Sequence, residues 1–384
     1  MKTLASSNAI TLNKTAQPKL ALIAEGGGQR GIFTAGVLDA WLQEDYDPFD
    51  MFFGTSAGSQ NITSYLARQK GYAKRLIRGL SRHKRFFHLG RGLMGKHIVD
   101  LDWYFDKTKE ANRAIDFETA RRTLGQRELY ITATNARDRT PHFLSPTGEN
   151  QQWRELLKAS SALPFLYKQG VKLTPWLSTS AANESAATSE QNMTTPKTDY
   201  FLDGGLAAPL PLIEAYKRGA RKIVVIRTAN ADFQGQSAWV HKLKSLVCTP
   251  GFCPKTIDYL VQHEKAYQQE LAFIANPPAD VEILQIFAGE KLQSKLLGST
   301  DNDLKHDHKV GIAAGKAFLQ QHKTIENNKL TRLMPANKSK GVNEYALSQI
   351  DEINKHQGQS DFVVEKRVNQ LVARQLTPPQ RLSA

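Results

Sequence analysis

Three short stretches place residues able to make and break an acyl bond at the ends of apolar runs. The sharpest is Gly54-Thr55-Ser56-Ala57-Gly58, a G-x-S-x-G between an expected strand and an expected helix. Small neighbours allow a turn tight enough to lift the serine hydroxyl above a sheet, with the next helix's N-terminus beneath it. Ser56 is therefore the expected nucleophile, and Gly54, Thr55, Ala57 and Gly58 its elbow. The five residues alone fit a structural turn equally well; the strand-turn-helix setting favours the nucleophile.

The second stretch, Gly26-Gly27-Gly28-Gln29-Arg30-Gly31, also follows a strand and opens a helix. It matches G-x-G-x-x-G, but a dinucleotide site needs an acidic residue at the end of the next strand, and the nearest, Asp50, precedes that strand. The glycines also fit a plain strand-to-helix turn. The favoured reading points the N–H groups of Gly27 and Gly28 at an oxyanion formed when Ser56 attacks a carbonyl. Arg30 either lends charge to the loop and a phosphate head group or, the preferred reading, braces the loop by pairing with a carboxylate. The third stretch is Asp203-Gly204-Gly205, reached through Tyr200-Phe201-Leu202. An aspartate at a strand end can present its carboxylate to a cleft at the carboxyl edge of an α/β sheet, although Asp-Gly is also an ordinary turn pair.

These groups need strands and helices to position them. Apolar runs at 20–24, 51–53, 129–134, 200–202, 223–227 and 281–287 predict buried strands, with helices from Gly31 and from Ala57. The alternation implies a mostly parallel α/β sheet in a single layered domain over 20–325. Residues 1–19 form a polar N-terminal tail, 173–198 a low-complexity surface insertion, and 326–384 a polar extension with one amphipathic stretch between Asn343 and Ile353.

The order GGGQRG, GTSAG, DGG resembles the patatin-like phospholipases, and is closest to their bacterial branch. Ala159-Ser160-Ser161-Ala162-Leu163-Pro164 is similar to the family's A-S-x-A-x-P segment, and Pro209-Leu210-Pro211 stands where the family carries a proline after its DG[GA] turn. The resemblance spans about residues 19–320. It implies a three-layer α/β/α fold, Ser56 as nucleophile, Asp203 as its base, and Gly26, Gly27, Gly28, Gln29, Arg30 and Gly31 as the oxyanion loop, with Gly204 and Gly205 completing the aspartate turn. It further implies a phospholipid or other lipid ester as substrate, in phospholipase A, lysophospholipase or esterase chemistry, with no cofactor and no metal. Glu25 stands where plant members carry Asp. A Ser–His–Asp triad is the rival mechanism, with His241, His263, His306 and His308 as candidates, each read as a surface or helix histidine. Two other readings compete: a catalytically silent lipid- or partner-binding protein that kept the fold, and an NAD- or FAD-dependent oxidoreductase built on GGGQRG.

Composition narrows the setting. The chain has 384 residues, 40% hydrophobic and 23% charged, which excludes extended disorder for its bulk. No apolar run approaches the roughly 20 residues of a bilayer span, and the polar start lacks a secretory core, so a cytoplasmic protein is expected. Cys248 and Cys253 cannot build a disulfide framework or a zinc site. The net charge of +14 favours an anionic partner surface. Between Asn61 and Val99 stand ten Lys and Arg and no acid, interleaved with Phe86, Phe87 and Leu89. Residues 68–96 are thus expected either to dock on anionic lipid or to form a solvated helix face. No nucleic acid is expected, for want of a binding motif.

Overall fold

The computed structural model describes residues 18–333 except 95, 147, 165, 168–169, 174–198, 230–232 and 234–254. Nearly all of the 173–198 insertion, the first 17 residues, His241, both cysteines and the Asn343–Ile353 stretch lie outside these. The first half of the chain runs β1 (Lys19–Ala24), α1 (Gly31–Gln43), β2 (Met51–Thr55), α2 (Ala57–Leu66), α3 (Tyr72–Gly79), α4 (Leu89–Leu93), α5 (Leu101–Lys107), α6 (Phe117–Leu124), β3 (Glu128–Asn135), β4 (Pro141–Leu144) and α7 (Asn150–Ser160). The second half runs β5 (Val171–Leu173), β6 (Asp199–Asp203), α8 (Leu212–Lys217), β7 (Ala220–Ile226), α9 (Lys255–Ala275), β8 (Glu282–Ile286) and α10 (Asp301–Leu333). The sheet and everything described below lie in the compact body that ends at Gln321.

The central strands are predominantly apolar because both faces of the sheet are covered. Successive side chains point to opposite faces, so each strand feeds two cores. Leu22, Phe52, Ile131 and Val224 join one cluster with Phe33, Ile62, Trp153 and Phe318 from α1, α2, α7 and α10. Ile23, Phe53, Tyr130 and Val225 join the other with Leu212 and Ala215 of α8 and Tyr267 of α9. That two-sided partition is the expected three-layer α/β/α architecture. The strand order is β5-β6-β3-β2-β1-β7-β8, with β4 also on β3. The β3-β2-β1-β7-β8 neighbours are parallel, and β4, β5 and β6 are antiparallel additions.

The register around β3 decides where the site falls. β2 covers Glu128 to Thr132 of β3, and β6 covers Ala133 to Asn135 in the opposite direction. β4 overlaps both, pairing Ile131 to Thr134. A strand has only two edges, so β2 and β6 must share one edge of β3 and meet head to head. Thr55 pairs with Thr132, and Asp203 pairs with the next residue, Ala133. The junction is tied by hydroxyls: Thr132 donates to Thr55 at 2.7 Å, Thr55 to the Ala208 carbonyl at 3.0 Å, and Thr134 to the Asp203 carbonyl at 2.8 Å.

The helices lock onto the sheet just as closely. Gly36 of α1 and Gly311 of α10 let the two helices approach so tightly that a Cβ at either would overlap the other's backbone carbonyl. One turn further along α1, the buried Asp39 accepts from His308 at 2.9 Å and from the Gly71 N–H at 2.7 Å. Beneath them Trp41, fully buried, packs its ring against Tyr46, Phe49, Tyr65 and Phe318. Emptying that position leaves a cavity that rigid neighbours cannot fill. Trp41→Ala is therefore expected to lower the unfolding free energy by roughly 3–5 kcal/mol in urea titrations. A loss below about 1 kcal/mol would mean that the aromatic cluster relaxes around the gap.

Candidate active site

Ser56 stands alone between the last residue of β2 and the first of α2. Its backbone is forced to φ 53° and ψ −121°, a region that side chains rarely adopt and that costs on the order of 1–3 kcal/mol. Neighbours hold it there. The Ser56 N–H donates to Ser160 Oγ at 2.8 Å, and the Ser56 carbonyl accepts from the Ser59 N–H at 3.0 Å and the Ser59 hydroxyl at 2.6 Å. Ser160 ends α7 within the ASSALP segment, so that motif buttresses the serine turn.

Asp203 ends β6 and is 3% exposed. Its Oδ1 accepts from the Gly205 N–H at 2.8 Å, while Oδ2 is buried with no formed hydrogen bond. Burial raises its pKa to about 7, opposed by the Gly205 N–H and by the nearby Ser56 side chain. No cation among the described residues offsets this, so burial wins. The direction of approach differs from the expectation for a parallel strand. β6 is antiparallel to β3 and descends into the sheet, delivering the carboxylate from the insertion side to the level of Ser56. An isolated apolar run carries no information on strand direction, which is why sequence left it open.

The glycine loop closes the third side. Gln29 and Arg30 donate their N–H groups to Leu296 and Gly27, but among the described residues the N–H groups of Gly26, Gly27 and Gly28 have no acceptor. Gly28 must be glycine: its φ is 57°, and a Cβ would overlap the Leu296 carbonyl. The loop, Ser56, Ala57 and Asp203 line one cavity of about 1100 Å³, above the few-hundred to 1,000 Å³ usual for ligand pockets. Its remaining walls are largely apolar, including Leu76, Phe86, Leu206 and Leu292. The elbow glycines Gly54 and Gly58 and the turn glycine Gly204 lie behind the cavity, Gly205 at its edge, and Gly31 against Ala57 and Asn61.

The ion pair expected at Arg30 is corrected, and the residues of the rival readings take their places. Arg30 pairs with no carboxylate among the described residues, and its Nε is buried without a partner. The adjacent acid, Glu25, is instead turned to the N–H groups of Thr228 and Ala229 and to the Tyr267 hydroxyl. Asp50 accepts from the Leu20 N–H at the opposite end of the sheet from the glycine loop, so it cannot serve a dinucleotide ribose there. His308 is buried against Asp39, and His306 lies beside Asp307. His263, on α9, does line the cavity, and its Nδ1–H donates to the Gly205 carbonyl. Neither it nor Tyr267 carried any motif in the sequence. The basic block is also less open than its composition implies. Arg68 pairs with Asp45 and Asp47, Arg78 and Arg82 pair with Asp301, and Arg85 and Arg91 approach Asp100. Phe86 is buried against Tyr104.

A mostly parallel three-layer sheet with a serine perched between strand and helix is the framework of a hydrolytic α/β class. Residues 22–216 match the family described as Patatin-like phospholipase, and the chain belongs to that family of lipid hydrolases. Residues 253–327 match a separate model, a domain of unknown function designated DUF6363. The chain is 32% identical over 318 residues to the uncharacterized protein YjjU of Escherichia coli strain K12, covering 83% of this chain and 82% of that one. Among solved structures it is similar to VipD from Legionella pneumophila at 15% identity, with a TM-score of 0.39 over 80% of this chain and 68% of the other. No helix among the described residues is long and apolar enough to cross a membrane.

The raised pKa of Asp203 has a consequence for stability. The folded state holds this proton more tightly than the unfolded chain, whose carboxyl titrates near 3.8. The resulting stabilisation is complete below that value and is lost as pH rises through about 7. Asp203→Asn removes the buried charge, so its stability advantage over the natural chain should grow between pH 4 and pH 8. Each tenfold difference in proton affinity between the folded and unfolded chain adds about 1.4 kcal/mol to that growth. Urea titrations at both pH values test this, and an advantage that does not change with pH would sink it.

Proposed function

We propose that the chain is a serine acyl hydrolase that cleaves carboxylic esters of lipids through Ser56 and Asp203 by way of an acyl-enzyme. The observation that carries this reading is the head-to-head meeting of β2 and β6 on β3, which brings a strained serine and a buried carboxylate to one cavity. Family membership supports the lipid substrate class.

The Ser56 hydroxyl attacks the ester carbonyl carbon as Asp203 Oδ2 takes its proton. An ordinary carboxylate is a weak base, and burial improves it by lifting its pKa to about 7. The tetrahedral oxygen accepts from the unengaged N–H groups of Gly27 and Gly28, each worth about 3–4 kcal/mol in comparable sites. Protonated Asp203 then returns its proton to the departing alcohol, leaving Ser56 acylated. Water, deprotonated by the same carboxylate, attacks the acyl carbonyl, and the acid leaves with Ser56 restored. The apolar walls take the acyl chain. His263 is not assigned the base: its Nδ1–H donates to the Gly205 carbonyl and among the described residues its Nε2 makes no hydrogen bond to Ser56, whereas the Asp203 carboxylate stands beside the Ser56 side chain.

With p-nitrophenyl butyrate, Ser56→Ala and Asp203→Asn are each expected to lower kcat by about 10³-fold or more. A fluorophosphonate probe should label the natural chain and not Ser56→Ala. Since the base must be ionised, kcat/KM should rise with pH through about 7. Labelling that survives Ser56→Ala, or Asp203→Asn with undiminished kcat, would overturn the assignment.

Surface contact with anionic lipid rests on the cations of the basic block that make no ion pair among the described residues: Lys70, Lys74, Arg75, Lys84 and Lys96. Met94 stands in the same segment, 72% exposed. Each such charge contributes on the order of 1 kcal/mol near an anionic surface. Binding to phosphatidylglycerol vesicles should weaken steeply as salt is raised, and no binding at low salt would exclude this contact.

A further inference from the structure

We infer that the segment matching the domain of unknown function, through its described residues 255–321, completes the active site by clamping the glycine loop and the Asp203 turn in place and by walling the acyl cavity. This rests on the Ser56–Asp203 hydrolase reading. The residues assigned to catalysis all lie before residue 217, within the lipid-hydrolase match. Their geometry nevertheless depends on contacts that come from after it.

A loop built to offer bare amides has a difficulty. Three consecutive glycines have no side chains to anchor them and lose the most conformational freedom when fixed. Gln29 is the first residue of the loop with a side chain able to hold it, and it is 2% exposed. Every polar group it has, apart from its own carbonyl, is engaged in a clamp. Its N–H donates to the Leu296 carbonyl at 3.0 Å, and its Oε1 accepts from the Ser299 N–H at 2.8 Å. Its Nε2 donates to Ser81. Two of these three connections reach the loop between β8 and α10.

That loop is itself pinned by a buried carboxylate. Asp307, fully buried on α10, accepts from the Gln293 N–H at 3.1 Å, from the Ser294 N–H at 2.7 Å and from the Ser294 hydroxyl. Ser299 Oγ accepts from the Lys295 N–H, closing the loop on itself. A segment that merely covered apolar surface would need none of this. Buried polar groups are costly unless fully paired, and when fully paired they specify a single geometry.

The same segment reaches the two other parts of the site. Tyr267 of α9 donates to Glu25, the residue immediately before the glycines, at 2.9 Å. His263 holds the Gly205 carbonyl next to the peptide that donates to Asp203. Leu260, Leu292, Leu296 and Leu297 add apolar wall to the cavity. Gln29, Asp307 and Tyr267 are thus positioning residues: they touch no reacting atom and act through the glycine loop, which they hold at Gln29 and at Glu25.

The test uses the full chain, with p-nitrophenyl butyrate turnover and the rate of Ser56 labelling by a fluorophosphonate. Gln29→Ala and Asp307→Asn should each lower kcat by roughly 10- to 100-fold with KM within about twofold, as expected for a misplacement of about 1 Å. Because both act through one clamp, the double variant should be no slower than the worse single variant. Tyr267→Phe keeps the ring and removes only the hydroxyl; it should cost several-fold in kcat, and it carries the test if Asp307→Asn does not fold. Folded Asp307→Asn and Tyr267→Phe with natural kcat, or losses that multiply in the double variant, overturn the inference while leaving the hydrolase reading intact. Absence of Ser56-dependent hydrolysis in the natural chain would overturn both.

Discussion

The structure turns on one edge of one strand. β3 receives β2 along its first five residues and β6 along its last three, in opposite directions. Main-chain hydrogen bonding sets that register, and it brings a residue near position 55 beside one near position 203 without any direct attraction between them. Had β6 paired one residue further along, the pleat would have turned Asp203 to the opposite face of the sheet. The hydroxyls of Thr55, Thr132 and Thr134 fasten the junction from within the sheet, where apolar residues would have packed as well but fixed nothing.

Around that junction the protein keeps charge scarce. Among the described residues Asp203 has no cation near it to lower its pKa, and the one arginine of the glycine loop forms no ion pair. A neighbouring guanidinium would have stabilised the fold by holding the carboxylate ionised, and would have weakened it as a base in the same measure. The site accepts a less stable aspartate in return for a more basic one. The strain at Ser56 belongs to the same pattern, since both are held by surroundings that over-determine them.

The legible parts of the site were those whose chemistry is local. GTSAG and GGGQRG declare themselves because a turn at a strand end restricts residue type at each position. The central strands were legible because burial on both faces makes their middles short apolar runs. Strand direction was not, so the antiparallel approach of β6 could not be read from Tyr200-Phe201-Leu202. The basic block was only partly legible for a related reason: the acids that pair with some of its cations, Asp45, Asp47 and Asp301, lie outside the window, and Asp301 is more than 200 positions away. Sequence windows report composition, whereas neutralisation is a property of the folded surface.

The least legible residues are those of α9 and of the loop before α10. They contribute through backbone carbonyls and amides, which every residue has, so no motif marks them. Leu296 is the plainest case: its carbonyl holds Gln29 and occupies the space that makes Gly28 a glycine, and neither role depends on its being leucine. A site assembled in this way divides its labour along the chain. On the proposed hydrolase reading, the early segment supplies groups whose identity matters to the reaction, and the later one supplies groups whose position matters. Groups of the first kind are recognisable as letters, while the second kind depends on the path of the main chain and on the few buried side chains, such as Asp307, that fix it.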